Sequence, residues 1–260
     1  MATTASTTPT ACLVFLQHFR GSLDNWDPAL VDAVASSRRV ITFDNAGVAG
    51  SSGTTPNTIQ QMAADALTFL DALEIRSADL MGFSIGGFVA QEIALQRPDI
   101  VSRLVLASAA PQGADGMHGW APDVIDAVGQ PELGGPGYLS VFYAASDASR
   151  KAGMDSLHRM GDRTEGRDIP TTWQTRLAQY DAVCAWGIPN HSLLERVRAI
   201  SVPTFVANGD SDPMILPRYS HLLAGLLPDA QLKLYPDAAH GFLFQHHEEF
   251  AADVLAFIGD

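Results

Sequence analysis

The run Ala78–Leu95, ADLMGFSIGGFVAQEIAL, constrains the fold of this chain more than any other stretch. A short apolar segment ends in Gly82-Phe83-Ser84-Ile85-Gly86-Gly87, and residues with apolar positions at helical spacing follow at once. Read as strand, tight turn and helix, this arrangement forces strained backbone on Ser84, and glycines at 82 and 86 relieve the crowding. The serine hydroxyl is then lifted above the strand at a helix N-terminus, whose free N–H groups favour developing negative charge. A Gly-x-Ser-x-Gly match alone also describes a turn that packs helix on strand. The strand end is what turns the reading towards chemistry.

The neighbouring segments supply a sheet for that strand. Cys12–Leu16, Arg39–Asp44, Ala78–Gly82 and Arg103–Ala107 read as strands, with helices near Pro28–Ala35, Thr58–Ala72 and Ile85–Leu95 between them. The alternation resumes with Thr204–Ala207, a helix near Tyr219–Leu226, Gln231–Tyr235 and a last helix near His246–Ile258. Such β/α alternation predicts a mostly parallel sheet covered by helices on both faces. Between them, residues 112–197 lose the strand signals. Glycines and prolines there punctuate helical stretches such as Pro122–Val128 and Thr171–Trp186, amid many large apolar residues. The expectation is a core of residues 1–111 and 198–260 with a helical lid inserted at 112–197. Most of the aromatics in the insertion read as packing, while Trp120, Phe142 and Trp186 are candidates for a substrate wall.

Composition removes several classes of function. Acidic residues outnumber basic ones by 29 to 16, a formal charge of −13, which repels nucleic acid and anionic membrane surfaces. No apolar run reaches membrane-spanning length, and the start lacks the basic flank of a signal peptide. Cys12 and Cys184, far apart and in apolar company, read as reduced thiols. A cytoplasmic protein acting on a small molecule is the expectation.

A serine nucleophile needs a base, and the base needs an orienting carboxylate. His240 lies in YPDAAHGFLF, after the predicted strand QLKLY, and Asp210 and Asp212 lie in NGDSDP, beyond another strand end. Loops at the C-terminal ends of parallel strands are where ligands meet such sheets. The other histidines form no convincing metal cluster with carboxylates, and the chemistry calls for no cofactor.

The GFSIGG turn, the GDSD loop and the AHG loop together resemble the α/β-hydrolase superfamily, above all its small serine esterase, haloperoxidase and C–C hydrolase branch. The likeness runs from about Cys12 to the C-terminus and is weakest across the insertion. It implies Ser84 as nucleophile, His240 as general base and Asp212 as acid, three residues after Gly209, with Asp210 the runner-up. It also implies an oxyanion hole made by the backbone N–H groups of Ile85 and of Phe19, in the loop LQHFRGSLDNW. There Gln17-His18-Phe19 aligns with the family's His-Gly-bulky tripeptide, so His18 stands where glycine is usual. His18 and Arg20 become candidate substrate contacts, although a capping role suits Arg20 as well. FDNAGVAGSS resembles the family's Asp-x-x-Gly-x-Gly-x-Ser turn, with Ala49 in place of the second glycine and Asp44 orienting loop amides.

The family's usual N-terminal hairpin has no counterpart here, so a sheet of about six strands is expected. Arg39–Asp44 would then form an open edge, available to a homodimer or to the N-terminal arm. The function implied is hydrolysis of a small, mostly apolar ester, lactone or related carbonyl substrate through an acyl-enzyme at Ser84. Cofactor-free perhydrolysis or oxygenation on the same residues, and a non-catalytic small-ligand receptor, are the alternatives.

Overall fold

Long apolar runs become the central strands here because helices cover the sheet on both faces, so that those strands need no polar side. The computed structural model describes residues 12–130 and 135–259. Its strands are β1 (Cys12–Leu16), β2 (Arg39–Thr42), β3 (Ala78–Phe83), β4 (Val101–Ala107), β5 (Thr204–Gly209) and β6 (Ala230–Tyr235). β1, β3 and β5 are buried along their whole length. All pair in parallel, in the order β2-β1-β3-β4-β5-β6.

That order fixes where the helices go. α1 (Pro28–Ala35) carries the chain outward from β1 to β2, and α2 (Ile59–Ala72) carries it back to β3. Right-handed crossovers therefore put α1 on one face and α2 on the other. α3 (Ile85–Gln96) follows β3 and packs against α2 on its face. The order of connection reverses between β1 and β3, which opens a crevice beyond the C-terminal ends of those two strands, between the loop Gln17–Gly21 and the turn at Ser84.

Between β4 and β5 the described chain is helical: α4 (Pro122–Val128), α5 (Gly135–Phe142), α6 (Asp147–Gly161), α7 (Trp173–Trp186) and α8 (His191–Glu195). α9 (Pro217–Leu226) joins β5 to β6, and α10 (Phe242–Gln245) and α11 (His247–Ile258) complete the chain, with α11 packed on α1. The helical stretch is tied to the core by a buried carboxylate. Asp27, the N-cap of α1, accepts from Ser156 Oγ at 2.7 Å and from Arg159 Nε and Nη2 at 2.9 and 2.6 Å, both residues of α6.

The open edge expected at Arg39–Asp44 corresponds to β2, which ends two residues earlier and pairs with β1; no other described strand covers it. The N-terminal arm that was a candidate to dock there lies outside the described residues. No helix among the described residues is long and apolar enough to cross a membrane.

The tightest approach among the described glycines is at Gly86, where an added Cβ would sit 2.0 Å from the Leu16 carbonyl oxygen, a backbone atom at the end of β1. Gly86→Ala is expected to lower the unfolding free energy by at least about 2 kcal/mol, since overpacking against backbone has no side chain to yield. Urea denaturation of the variant checks this; an unchanged midpoint would show that α3 does not press on β1 as described.

Candidate active site

Ser84 occupies a conformation that an L-residue adopts only under constraint, φ 57° and ψ −122°, at the N-cap of α3. Backbone of this kind costs on the order of 1–3 kcal/mol. It is held by the Ser84 N–H, which donates to the Ala107 carbonyl at 2.9 Å, and by the burial of α3. Gly82 permits it: a Cβ there would lie 2.3 Å from the Gly86 carbonyl oxygen. Ile85 is the first residue of α3, so its N–H has no carbonyl of its own helix to meet.

The loop after β1 is built by its own side chains. Gln17 Nε2 donates to the Ser22 carbonyl at 2.6 Å, and its Oε1 accepts the His18 N–H at 2.8 Å. The Arg20 N–H donates to Gln179 Oε1 of α7 at 2.6 Å, with Arg20 in the left-handed region at φ 62°. Asp44 accepts the Leu23 N–H at 2.9 Å, so this carboxylate does orient a loop amide, and Ala49 takes the left-handed φ of 45° that glycine would favour. These bonds set Phe19 at the crevice beside Ser84.

On the other side of Ser84 the loops after β5 and β6 meet. Gly209 allows it, since a Cβ there would lie 2.3 Å from the carbonyl oxygens of both Ala238 and Ala239. Asp212 Oδ1 accepts the N–H groups of Met214 and Ile215 at 2.8 and 3.0 Å, which leaves Oδ2 for His240 Nδ1 at 2.8 Å. Both side chains are buried. A carboxylate only accepts here, so Nδ1 is the ring nitrogen that donates to Oδ2. Asp210 is exposed and bonds instead to Ser211 Oγ and to the N–H groups of Asp237 and Ala238. His240 is also fixed from the helical stretch, because its N–H and that of Gly241 donate to the carbonyls of Val141 and Phe142.

Ser84, His240, His18, Phe19, Arg20 and Phe142 line one cavity of about 240 Å³. Its remaining wall includes Tyr138, Leu157 and Met160 from α5 and α6, with Asp24 and Arg167 adding charge. Two of the tryptophans expected on the substrate wall do not line it. Trp186 stacks on Phe88 at 5.2 Å and donates its indole N–H to the Ala110 carbonyl, both core contacts. Trp120 packs edge-on against the ring of Phe19 at 5.1 Å, supporting the loop from behind. Arg20 Nη1 donates to the Gln130 carbonyl at 2.6 Å, so the arginine braces the loop against the helical stretch. Tyr138, Leu157 and Met160 carried no signal in the sequence beyond their apolarity.

His18 is the least ordinary member of the wall. Its ring lies edge-on to Phe83 at 5.1 Å and to Phe142 at 5.5 Å, the two rings that also contact His240. Nδ1 lies 2.9 Å from the Phe19 carbonyl oxygen and must donate to it. Nε2 is buried and has no hydrogen-bond partner among the described residues, a cost on the order of 1–3 kcal/mol. Burial, with a smaller contribution from His240, lowers the His18 pKa from 6.5 to about 4 against the opposing pull of the Phe19 carbonyl. Between those values the unfolded chain binds the extra proton, so stability falls as pH drops from 6.5 towards 4. At pH 5 this one group should cost about 2 kcal/mol relative to pH 7. Urea denaturation at the two pH values checks it: His18→Phe should remove that share of the loss, and an equal loss in variant and wild type would contradict the assignment.

Comparison with known proteins identifies the family of this fold. Residues 12–247 match the family described as alpha/beta hydrolase fold. A solved alpha/beta hydrolase fold protein from Chitinophaga pinensis superposes with a TM-score of 0.90 at 40% identity, covering 96% of this chain and 90% of that one. Among relatives by sequence, a non-heme chloroperoxidase from Burkholderia pyrrocinia is 29% identical, covering 95% of this chain and 91% of its own. A Rhizobium rhizogenes protein provisionally named carbamate hydrolase RutD is 27% identical over 92% of this chain and 88% of its own. With its parallel sheet, its serine turn after β3 and its Asp–His pair beyond β5 and β6, the chain belongs to the α/β-hydrolase superfamily.

Proposed function

We propose that this protein is a serine hydrolase of small, mostly apolar carboxylic esters and lactones. The observation that carries the reading is the buried Asp212–His240 hydrogen bond at 2.8 Å, on a cavity that also holds a strained Ser84. Ser84 Oγ attacks the carbonyl carbon while His240 Nε2 takes the hydroxyl proton, and Asp212 stabilises the resulting imidazolium. The N–H groups of Phe19 and Ile85 receive the carbonyl oxygen as it becomes negative. The C–O bond then breaks, the leaving alkoxide takes the proton from His240, and an acyl group remains on Ser84. Water gives its proton to His240 and its oxygen to the acyl carbon, and the Ser84 oxygen departs with that proton as the acid is released.

Residues 112–197 act as the lid in this reading, since α5 and α6 furnish Tyr138, Phe142, Leu157 and Met160 to the cavity wall. The apolar wall and modest volume favour short acyl chains. A soluble cytoplasmic setting accords with the free thiols of Cys12 and Cys184. The likeness to a chloroperoxidase favours one second reading, perhydrolysis. Hydrogen peroxide would replace water at the same acyl-Ser84 and leave as a peracid, with the protons moving through His240 as before.

Hydrolysis of p-nitrophenyl acetate and butyrate tests the proposal. Ser84→Ala and His240→Ala should each lower kcat by at least about 10³-fold, and Asp212→Asn by about 10³ to 10⁴. Asp210→Asn should stay within a few-fold of wild type, because its exposed carboxylate bonds Ser211, Asp237 and Ala238 rather than His240. Equal activity in Ser84→Ala and wild type would overturn the reading. Peracid accumulation when peroxide is added would select the second one.

A further inference from the structure

An apolar ring would fill the space between Phe83 and Phe142 without burying an unpaired polar atom. The chain places His18 there instead, with Nδ1 committed to the Phe19 carbonyl and Nε2 on the opposite edge of the ring left without a partner among the described residues. Buried acceptors are ordinarily satisfied, and an unsatisfied one on a residue that lines the cavity shared with Ser84 and His240 points to a ligand group that satisfies it when it enters. The two histidines share a tautomer and differ in what backs them. His240 is backed by the Asp212 carboxylate, which makes Nε2 a base; His18 is backed by a neutral carbonyl, which leaves Nε2 a weak base and a sound hydrogen-bond acceptor.

We propose that His18 is a substrate-positioning residue whose Nε2 accepts a hydrogen bond from an O–H or N–H donor carried beside the reacting carbonyl, so that the preferred substrates are esters bearing such a donor, as in 2-hydroxy or 2-acylamino acids. The location follows from the chain itself. His18 adjoins Phe19, whose N–H is assigned to the carbonyl oxygen, and adjacent residues lie only about 3.8 Å apart along the backbone. A donor on the carbon next to the carbonyl is the substrate group that stands beside the oxygen assigned to Phe19. The inference rests on the hydrolase reading and narrows it from small apolar esters to those with one polar group set at the reacting end.

Matched p-nitrophenyl esters test it: 2-hydroxypropanoate against 2-methoxypropanoate, where the methyl group removes the donor and leaves the oxygen. Wild type should favour the hydroxy ester by up to about tenfold in kcat/KM, the worth of one net hydrogen bond, chiefly through KM. His18→Phe should bring that ratio close to one, and His18→Gln, which keeps an acceptor, should restore part of it. A His18→Phe enzyme with the wild-type ratio, or a wild type with no preference, would overturn the proposal. Should His18→Phe fail to fold, nitrogen NMR of the Ser84→Ala protein decides. Its His18 Nε2 resonance should start as an unprotonated nitrogen and move on adding methyl lactate but not methyl 2-methoxypropanoate; a resonance that ignores both overturns the proposal. Fluorophosphonate labelling separates the two levels of the account. An unlabelled Ser84 sinks the hydrolase reading and this inference with it, whereas normal labelling with an unchanged ester ratio sinks this inference alone.

Discussion

The contact between Gly86 and the Leu16 carbonyl is the constraint from which the site follows. With no side chain at 86, the first turn of α3 sits directly against the end of β1. That brings the N–H of Ile85 and the loop carrying Phe19 to the same crevice, which neither element provides alone. It also leaves Ser84 no relaxed conformation, because the strand must become a helix within one residue. The strain at φ 57° is thus a consequence of where two backbones meet, offset by the core that α3 buries.

The Asp212–His240 pair is assembled by the same device on the other side. Gly209 lets the end of β5 lie against the carbonyls of Ala238 and Ala239, and the Asp212 and His240 loops are thereby pressed together. Around them a buried polar network fixes three loops at once. Ser108 Oγ, beyond β4, bonds Asn208 Oδ1 of β5 and the His240 carbonyl, while Asn208 Nδ2 bonds the Ile215 carbonyl and Ser220 Oγ. Buried networks of this kind hold side-chain geometry more tightly than loops alone. The helical stretch then closes over the result through backbone bonds from His240 and Gly241 to α5 and through the buried Asp27 between α1 and α6.

Much of this was legible in the sequence, and the exceptions have physical causes. The central strands announce themselves because fully buried elements are written in apolar residues, and helix α1 spans the expected Pro28–Ala35, opened by its N-cap Asp27. Asp212 could be preferred over Asp210 by resemblance alone; only the turn that spends Oδ1 on two backbone amides explains why Oδ2 is the free oxygen. α6 left no amphipathic signature, since its buried face is made of Ser149, Gly153 and Ser156 with Met160, small residues that admit the ring of Tyr143. Aromatic content misplaced Trp120 and Trp186, because a tryptophan that supports a wall from behind reads the same as one that forms it. The unpaired nitrogen of His18 had no sequence signal beyond the replacement of glycine; it depends on a ring orientation set by the next residue's carbonyl.

The claim on which all of this turns is that the strained serine carries the acyl group. Acid-quenching the protein during steady turnover of p-nitrophenyl butyrate, followed by mass spectrometry of its proteolytic fragments, tests it most directly. A butyryl group on the fragment containing Ser84, absent from the Ser84→Ala protein, is the predicted result. Sustained turnover with every Ser84 fragment unmodified and an acyl group on another residue would contradict it.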